Sequence, residues 1–323
     1  MGGNVTIDGV SAEPLDIREI SSTRAALVIG QLLTDISWHY TSKMYSDLWV
    51  GGLWIYHVSG STAHLFNPDI SMEELVKFKP VFGDIDMQID RNKAENFVLH
   101  LKTIDLPDCS YLGHKQSGNT VVTLWNMHRL NGLKLQIDFE LVDYYAGLAT
   151  PWCKMMYSSD WGDVQAGFKG VAHKFLLRAL NAVDLMEREI KSKRGVIKKV
   201  KSSEHAISAR GLRRKLLRAD GNYWEELPAK GAEYITDPVT VFKHYFVHAP
   251  SKEELEQFSS FVGLCELVWN NFTPVIKKNI YKGFVYSLTN EKAQDFCKDS
   301  EDSDLMKARM INYVRNAIGV HDY

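Results

Sequence analysis

Residues Val81 to Asp90 form a stretch in which apolar and polar residues alternate, and it contains two aspartates separated by a single residue, Asp84 and Asp86. Successive side chains of an extended strand point to opposite faces, so both carboxylates project from one face while apolar side chains cover the other. Two like charges at this separation repel each other unless a cation lies between them. Magnesium, a hard cation that prefers oxygen ligands, commonly fills this role. The stretch therefore predicts a strand with an acidic, metal-binding face.

Two further features flank this strand in the sequence. Gly60 and Ser61 stand at a predicted strand-to-helix turn, where backbone N–H groups favour phosphate and glycine allows its close approach. Asp138 lies on the polar face of a later predicted strand, Leu133–Val142, and three carboxylates converge if the two strands are neighbours. Such a triad beside a phosphate-binding turn suits metal-assisted nucleotidyl transfer, in which one metal ion organises the triphosphate and a second activates the attacking hydroxyl. Asp138 would help to hold the second ion or accept the proton.

This arrangement resembles the DNA polymerase β-type nucleotidyltransferase superfamily, whose members have a Gly-Ser turn after a strand, an Asp-x-Asp on the next strand and a third Asp on a later one. The matching residues here are Gly60, Ser61, Asp84, Asp86 and Asp138. The resemblance covers roughly residues 45–142. It implies a small mixed sheet with helices on one side, Mg²⁺ (or Mn²⁺) as cofactor and a nucleoside triphosphate (NTP) as substrate.

The distribution of helical and extended patterns predicts two domains in this chain of 323 residues. Residues 1–150 mix predicted helices with strands, whereas the later pattern is mainly helical, with one long helix expected over 164–193 and another over about 204–218. The expected fold is an α/β (α+β) mixed sheet in a nucleotidyltransferase-like catalytic domain over residues 1–150. A mainly helical domain over residues 151–323 is expected to close over the nucleotide and the acceptor.

Two basic features of the second half are candidate binding sites. His173 and Lys174 lie beside Lys169 on a predicted helix, and both are predicted to contact triphosphate; the alternative is a packed glycine-containing helix with an exposed basic face. Eleven Lys and Arg residues against one acid occupy the segment from Lys191 to Arg218, which suits a phosphate backbone or, equally, a solvated helix face. The predicted nucleic-acid contacts in this segment, all on the expected helix, are Arg210, Arg213, Arg214 and Lys215.

Composition restricts the class of protein. A net charge of −2 excludes a molecule that coats nucleic acid with its whole surface, so any basic site is local. The sequence shows no signal peptide, so secretion is not predicted. No apolar run reaches the length of a membrane span, so a membrane partner is not predicted either. The cysteines form no C-x-x-C pair, which argues against a zinc site or a disulfide framework and favours a reducing, cytoplasmic location. They are Cys109, Cys153, Cys265 and Cys297.

The sequence therefore predicts an enzyme, a metal-dependent nucleotidyltransferase that moves a nucleoside monophosphate from an NTP to an acceptor hydroxyl and releases pyrophosphate. The basic segment favours RNA, for example a tRNA, as the acceptor. A protein or a small molecule is the alternative acceptor within the same enzyme class. The hypothesis from a different class is a non-catalytic nucleic-acid-binding protein that keeps a degenerate nucleotidyltransferase fold.

Overall fold

The chain divides into two compact units that are discontinuous in sequence. Unit 1 comprises Met1–Thr150 and Tyr157–Lys169, and unit 2 comprises Pro151–Met156 and Gly170–Tyr323. The structure is a computed structural model, and it describes residues 5–44, 58–145, 148–157, 160–168, 170–191, 197–215, 217–220, 223–226, 232–289 and 302–320.

Unit 1 is a mixed α/β unit. Its strands are β1 (Thr6–Ile7), β2 (Val10–Ser11), β3 (Leu15–Asp16), β4 (Val58–Ser59), β5 (Val81–Phe82), β6 (Ile85–Asp90), β7 (Cys109–Ser117), β8 (Thr120–Met127), β9 (Leu133–Val142), β10 (Tyr144–Tyr145) and β11 (Leu148–Ala149). Its helices are α1 (Ser22–Met44), α2 (Met72–Phe78), α3 (Ala94–Leu101) and, after α4 (Pro151–Tyr157) at the crossing into unit 2, α5 (Trp161–Gln165). Short 3-10 helices cover Ser61–Phe66, Arg91–Lys93 and His128–Leu130.

A five-stranded mixed sheet organises unit 1, with the strand order β4-β6-β9-β8-β7. Strands β6 and β9 pair in parallel, and the other neighbours are antiparallel. Apolar side chains of β6 and β9, including Ile85 and Ile137, are fully buried and belong to one core with Ile29 of α1 and Phe97 of α3. Removal of this apolar surface from water is what fixes the helices against one face of the sheet.

The local signals of α1 and α2 are confirmed. Residues Ile29, Leu33 and Ile36 recur at helical spacing on the buried side of α1. At the start of α2, the Ser71 side chain accepts a hydrogen bond from the Glu74 backbone N–H, and Glu74 accepts one from the Ser71 N–H. This reciprocal capping box, expected from the sequence, satisfies two backbone donors that the helix cannot pair internally.

The polar face of β9 is covered by the beginning of the chain. The backbone N–H of Val5 donates to Gln136 Oε1 over 3.0 Å, and the N–H of Lys134 donates to the Glu13 carboxylate. Ile7 of β1 packs with Leu124 of β8 in a second, smaller core. Strand β9 is therefore buried on both faces, and the surroundings of its polar side chains are poor in water.

Unit 2 combines strands with helices. Its strands are β12 (Met186–Lys191), β13 (Ile197–Ser202), β14 (His205–Ser208), β15 (Gly211–Arg214), β16 (Leu217–Asp220) and β17 (Tyr223–Glu226). Its remaining helices are α6 (Gly170–Ala179), a 3-10 helix (Leu180–Asp184), α7 (Pro238–Phe246), α8 (Lys252–Phe258), α9 (Phe261–Asn271), α10 (Pro274–Thr289) and α11 (Asp302–Ala317). No helix in these described ranges is long and apolar enough to cross a membrane.

Two helix predictions in the second half of the chain are wrong. The single helix expected over 164–193 is replaced by α5, α6, the 3-10 helix Leu180–Asp184 and strand β12. Its first interruption is at Gly167, which follows α5 and has φ 78°, a left-handed conformation that stops a helix. The helix expected over 204–218 is replaced by the antiparallel hairpin of β14 and β15. In that hairpin Gly211 has φ 121°, and a Cβ there would lie 2.4 Å from the Ile235 carbonyl oxygen, so close backbone approach fixes extended structure.

Candidate metal site in unit 1

Three carboxylates converge at the junction of β6 and β9. Asp86 and Asp138 are direct partners in the parallel register of these strands, and Asp84 lies one residue before β6 begins. Oxygen atoms from the three side chains all lie within 4.8 Å of one another. Alternation in each strand sends the neighbouring apolar residues into the core and leaves the carboxylates together. We call this cluster the acidic triad.

Two residues that the sequence did not mark as functional position the acidic triad. The hydroxyl of Thr62, which is fully buried, donates to the Asp84 carbonyl oxygen over 2.8 Å. The Nε2–H group of Gln136 donates to Asp138 Oδ1 over 2.8 Å, and its Oε1 accepts from Val5. The only available signal for Gln136 was its place two residues before Asp138, on the same face of the strand.

The predicted Gly60-Ser61 turn lies against the acidic triad. Ser59 is the partner of Asp86 in the antiparallel pair of β4 and β6, so Gly60 follows directly beside the carboxylate. Gly60 has φ 61°, and a Cβ on it would lie 2.0 Å from Asp86 Oδ2, so a side chain there requires Asp86 to move. Its N–H donates to the Tyr157 carbonyl oxygen over 2.6 Å. Ser61 then begins a helix, as the strand-to-helix turn predicted, and this helix is of the 3-10 type.

Burial makes the acidic triad electrostatically costly without a cation. Burial, and after it the Asp86 charge, raises the pKa of Asp84 to about 7. Burial, followed by the charges of Asp84 and Asp86, raises the pKa of Asp138 to about 8, although the hydrogen bond from Gln136 acts in the opposite direction. Within the part of the chain that the structure describes, no hydrogen-bond partner reaches the buried Oδ2 of Asp84.

These features fit a divalent cation. A metal ion would give the unpartnered Asp84 oxygen a ligand bond. Its positive charge would also favour the ionised forms of Asp84 and Asp138, whose pKa values are raised in its absence. The donor set consists of carboxylate oxygens, which suit hard ions such as Mg²⁺ or Mn²⁺. The acidic triad can therefore hold a divalent ion.

The predicted nucleotide contacts His173 and Lys174 belong to unit 2. The His173 ring is buried, and its Nε2–H donates to the Phe258 carbonyl oxygen over 2.8 Å, which ties α6 to the end of α8. This contact gives His173 a packing role. Lys174, the next residue of α6, is half-buried, and its contact with a nucleotide stays a prediction.

The four predicted nucleic-acid contacts, which we call the hairpin cations, lie on the hairpin of β14 and β15 and not on a helix. The exposed Arg210 occupies the turn, with its guanidinium 4.5 Å from the Tyr234 ring centroid. Arg214 is exposed and lies 3.5 Å from the Glu204 carboxylate, whereas Arg213 is half-buried. Because neighbouring side chains of a strand point to opposite faces, Arg213 and Arg214 do not share one surface. Lys215 follows the strand and completes the hairpin cations.

No protein-family model, curated protein or solved structure matches this chain. By its own architecture it is a mixed α/β protein with a five-stranded mixed sheet, many helices and a carboxylate cluster able to hold a divalent ion. A function for this chain can therefore be proposed only from the geometry of that cluster and of the turn beside it.

Proposed function

We propose that unit 1 is the catalytic core of a metal-dependent nucleotidyltransferase. The observation that carries this proposal is the direct pairing of Asp86 with Asp138 in parallel strands, beside Asp84 and against the backbone of Gly60. Because Gly60 has no side chain, Asp86 lies directly against the backbone of the turn, so a metal ion held by the three carboxylates would lie close to that backbone. The same residues carry the resemblance to the DNA polymerase β-type superfamily.

In this proposal each residue has a distinct role. Bound Mg²⁺ or Mn²⁺ would neutralise charge on the triphosphate and on the leaving pyrophosphate and would acidify the acceptor hydroxyl. Asp84 and Asp86 hold the triphosphate side. Asp138 serves the acceptor side, either as a metal ligand or by taking the hydroxyl proton. Burial raises the pKa of Asp138 to about 8, close to the neutral range in which a general base works best.

The reaction is a substitution at the α-phosphorus of the NTP. The acceptor oxygen forms a bond to that phosphorus, the bond to the bridging oxygen breaks, and pyrophosphate leaves with the bonding electrons. The Gly60 N–H is already used by Tyr157, so the phosphate contact is assigned to Ser61, whose N–H opens the 3-10 helix and has no intrahelical acceptor. Gly60 contributes to the site because, without a side chain, it lets the Asp86 carboxylate lie against the backbone of the turn.

RNA, for example a tRNA, is the acceptor that we favour. The support is the local basic character of unit 2 in a chain of net charge −2, together with the exposed Arg210 beside the Tyr234 ring. A protein or small-molecule hydroxyl is the alternative within the same chemistry. A protein that binds nucleic acid without catalysis is the rival function.

The test is transfer of label from each NTP, labelled at the α-phosphate, to total cell RNA or total cell protein in the presence of Mg²⁺. We expect one NTP to label one acceptor class, and Asp86→Asn to abolish the labelling. The matched control is Asp90→Asn, which makes the same change at the other end of β6 and keeps an acceptor for the Asn92 N–H. If no NTP labels an acceptor, and no NTP raises the Tm of the protein in Mg²⁺, the non-catalytic rival is favoured.

A further inference from the structure

A second group of metal-binding side chains lies in unit 2 and has no part in the proposed transfer reaction. Asp184 ends the 3-10 helix Leu180–Asp184, His205 begins β14, and His244 lies in the last turn of α7. Each offers one donor atom, and these atoms lie within 4.8 Å of one another. Three elements that are well separated in sequence therefore bring one carboxylate and two imidazoles to one point.

The contacts inside this cluster resemble those of a prepared metal site. Asp184 Oδ2 lies 3.0 Å from His205 Nδ1, close to the roughly 3.3 Å edge between ligand atoms that bonds of 2.0–2.1 Å give in a tetrahedral zinc site. The other carboxylate oxygen, Oδ1, accepts a hydrogen bond of 2.5 Å from the buried Ser203 hydroxyl. A second partner that orients a ligating carboxylate is a regular feature of protein metal sites.

An ion pair between Asp184 and His205 alone does not explain why His244 lies beside them. The His205 and His244 rings lie edge to face with centroids 4.2 Å apart. Among the described residues, the ring of His244 makes ring contacts with His205 and Tyr245, and no hydrogen bond engages its nitrogens. Neutral imidazoles with available nitrogens are the form that binds transition metals.

We propose that Asp184, His205 and His244 form a binding site for a divalent transition-metal ion, with Zn²⁺ as the best match to two imidazoles and one carboxylate. The Asp184 and His205 side chains are 29% and 22% exposed, so water can reach the fourth coordination position. The ion would link the 3-10 helix, β14 and α7. Tyr245 already joins the first and last of these elements through its hydroxyl, which donates to Asn181 Oδ1 over 2.7 Å.

The donor chemistry separates this site from the acidic triad, and the experiment uses that difference. Zn²⁺ is titrated calorimetrically into the full chain in excess Mg²⁺, which occupies carboxylate oxygens but competes poorly for imidazole. Co²⁺ is used in parallel, because its visible absorption reports imidazole coordination. We expect one equivalent of Zn²⁺ to bind, and His244→Ala to weaken that binding at least tenfold.

The matched control is His248→Ala, which removes another histidine of unit 2 whose ring bonds Glu254 and the Phe246 carbonyl outside the cluster. It should bind Zn²⁺ as the unaltered chain does. Asp184→Asn is the second variant; it keeps an acceptor for the Ser203 hydroxyl, so it tests the ligand with the fold retained, as checked by circular dichroism. The proposal would be overturned if the unaltered chain did not bind Zn²⁺, or if His244→Ala and Asp184→Asn both bound it as tightly as the unaltered chain does.

Discussion

Replacement of Asp138 by Asn should stabilise the metal-free protein while removing much of its response to Mg²⁺. Asparagine has nearly the same shape, and its carbonyl oxygen can still accept the hydrogen bond from Gln136. What disappears is a carboxylate that is 2% exposed and lies within 4.8 Å of two others. The variant therefore isolates the cost of charge from the loss of packing.

The size of the effect follows from the pKa of Asp138. This pKa is about 8 in the folded protein against an ordinary value of 3.8, so the folded state binds the proton more tightly than the unfolded state. The penalty is absent below the unfolded pKa and grows as pH rises toward the folded pKa. At pH 7 it is at most about 4 kcal/mol, since one pKa unit corresponds to about 1.36 kcal/mol.

We expect a realised gain of about 1–3 kcal/mol, because Asp84 and Asp86 share the repulsion and readjust when one charge is removed. That gain corresponds to a Tm increase of about 2–4 °C for each kcal/mol in a unit of this size. The assay is thermal unfolding at pH 7 with EDTA and again with millimolar Mg²⁺. Mg²⁺ should raise the Tm of the unaltered chain and have a much smaller effect on the variant.

The control for this prediction is Glu140→Gln, which neutralises a carboxylate on the same strand and keeps an acceptor for the Thr120 hydroxyl. It should respond to Mg²⁺ as the unaltered chain does. An Asp138→Asn variant that is less stable than the unaltered chain in EDTA and gains equally from Mg²⁺ would show that the carboxylates neither repel each other nor share a cation.

Three other outcomes are expected. Gly60→Ala should weaken Mg²⁺ binding and cost about 1–3 kcal/mol in thermal unfolding, because a left-handed φ and the contact with Asp86 both oppose a Cβ; a Tm equal to that of the unaltered chain would contradict this. Asp84→Asn should abolish transfer without loss of the circular dichroism signal, and full turnover in Mg²⁺ would remove Asp84 from the site. Neutralising all hairpin cations should make RNA affinity less dependent on salt, by about 0.7 per lost contact with single-stranded RNA; an unchanged slope would redirect the search to protein or small-molecule acceptors.

The parts of the structure that could be predicted from sequence depend on neighbouring residues. Alternation assigned the faces of β6 and β9 correctly, and the capping box at Ser71 located the start of α2. The adjacency of Asp86 and Asp138 is different, because it depends on which strands pair. It was expected only if the two strands were neighbours, and the parallel register shows that they are.

Other features depend on contacts between residues that are distant in the chain. The hydrogen bond to the Gln136 side chain comes from Val5, 131 positions away, and no local pattern encodes it. The expected helix over 204–218 had basic and apolar residues at suitable spacing, but Gly211 and pairing between β14 and β15 favour a hairpin. The cluster that includes His244 lacks any short motif, since its members come from three separate elements.

The return of the chain from α4 into unit 1 determines how this protein can be cut into fragments. Tyr157 and Trp161 lie beyond residue 150, yet the first accepts the Gly60 N–H and the second packs its ring 4.9 Å from the buried His64. A fragment that stops at residue 150 would have the whole acidic triad but no anchor for the turn beside it. A fragment used to test the proposed activity should therefore also retain Tyr157–Lys169.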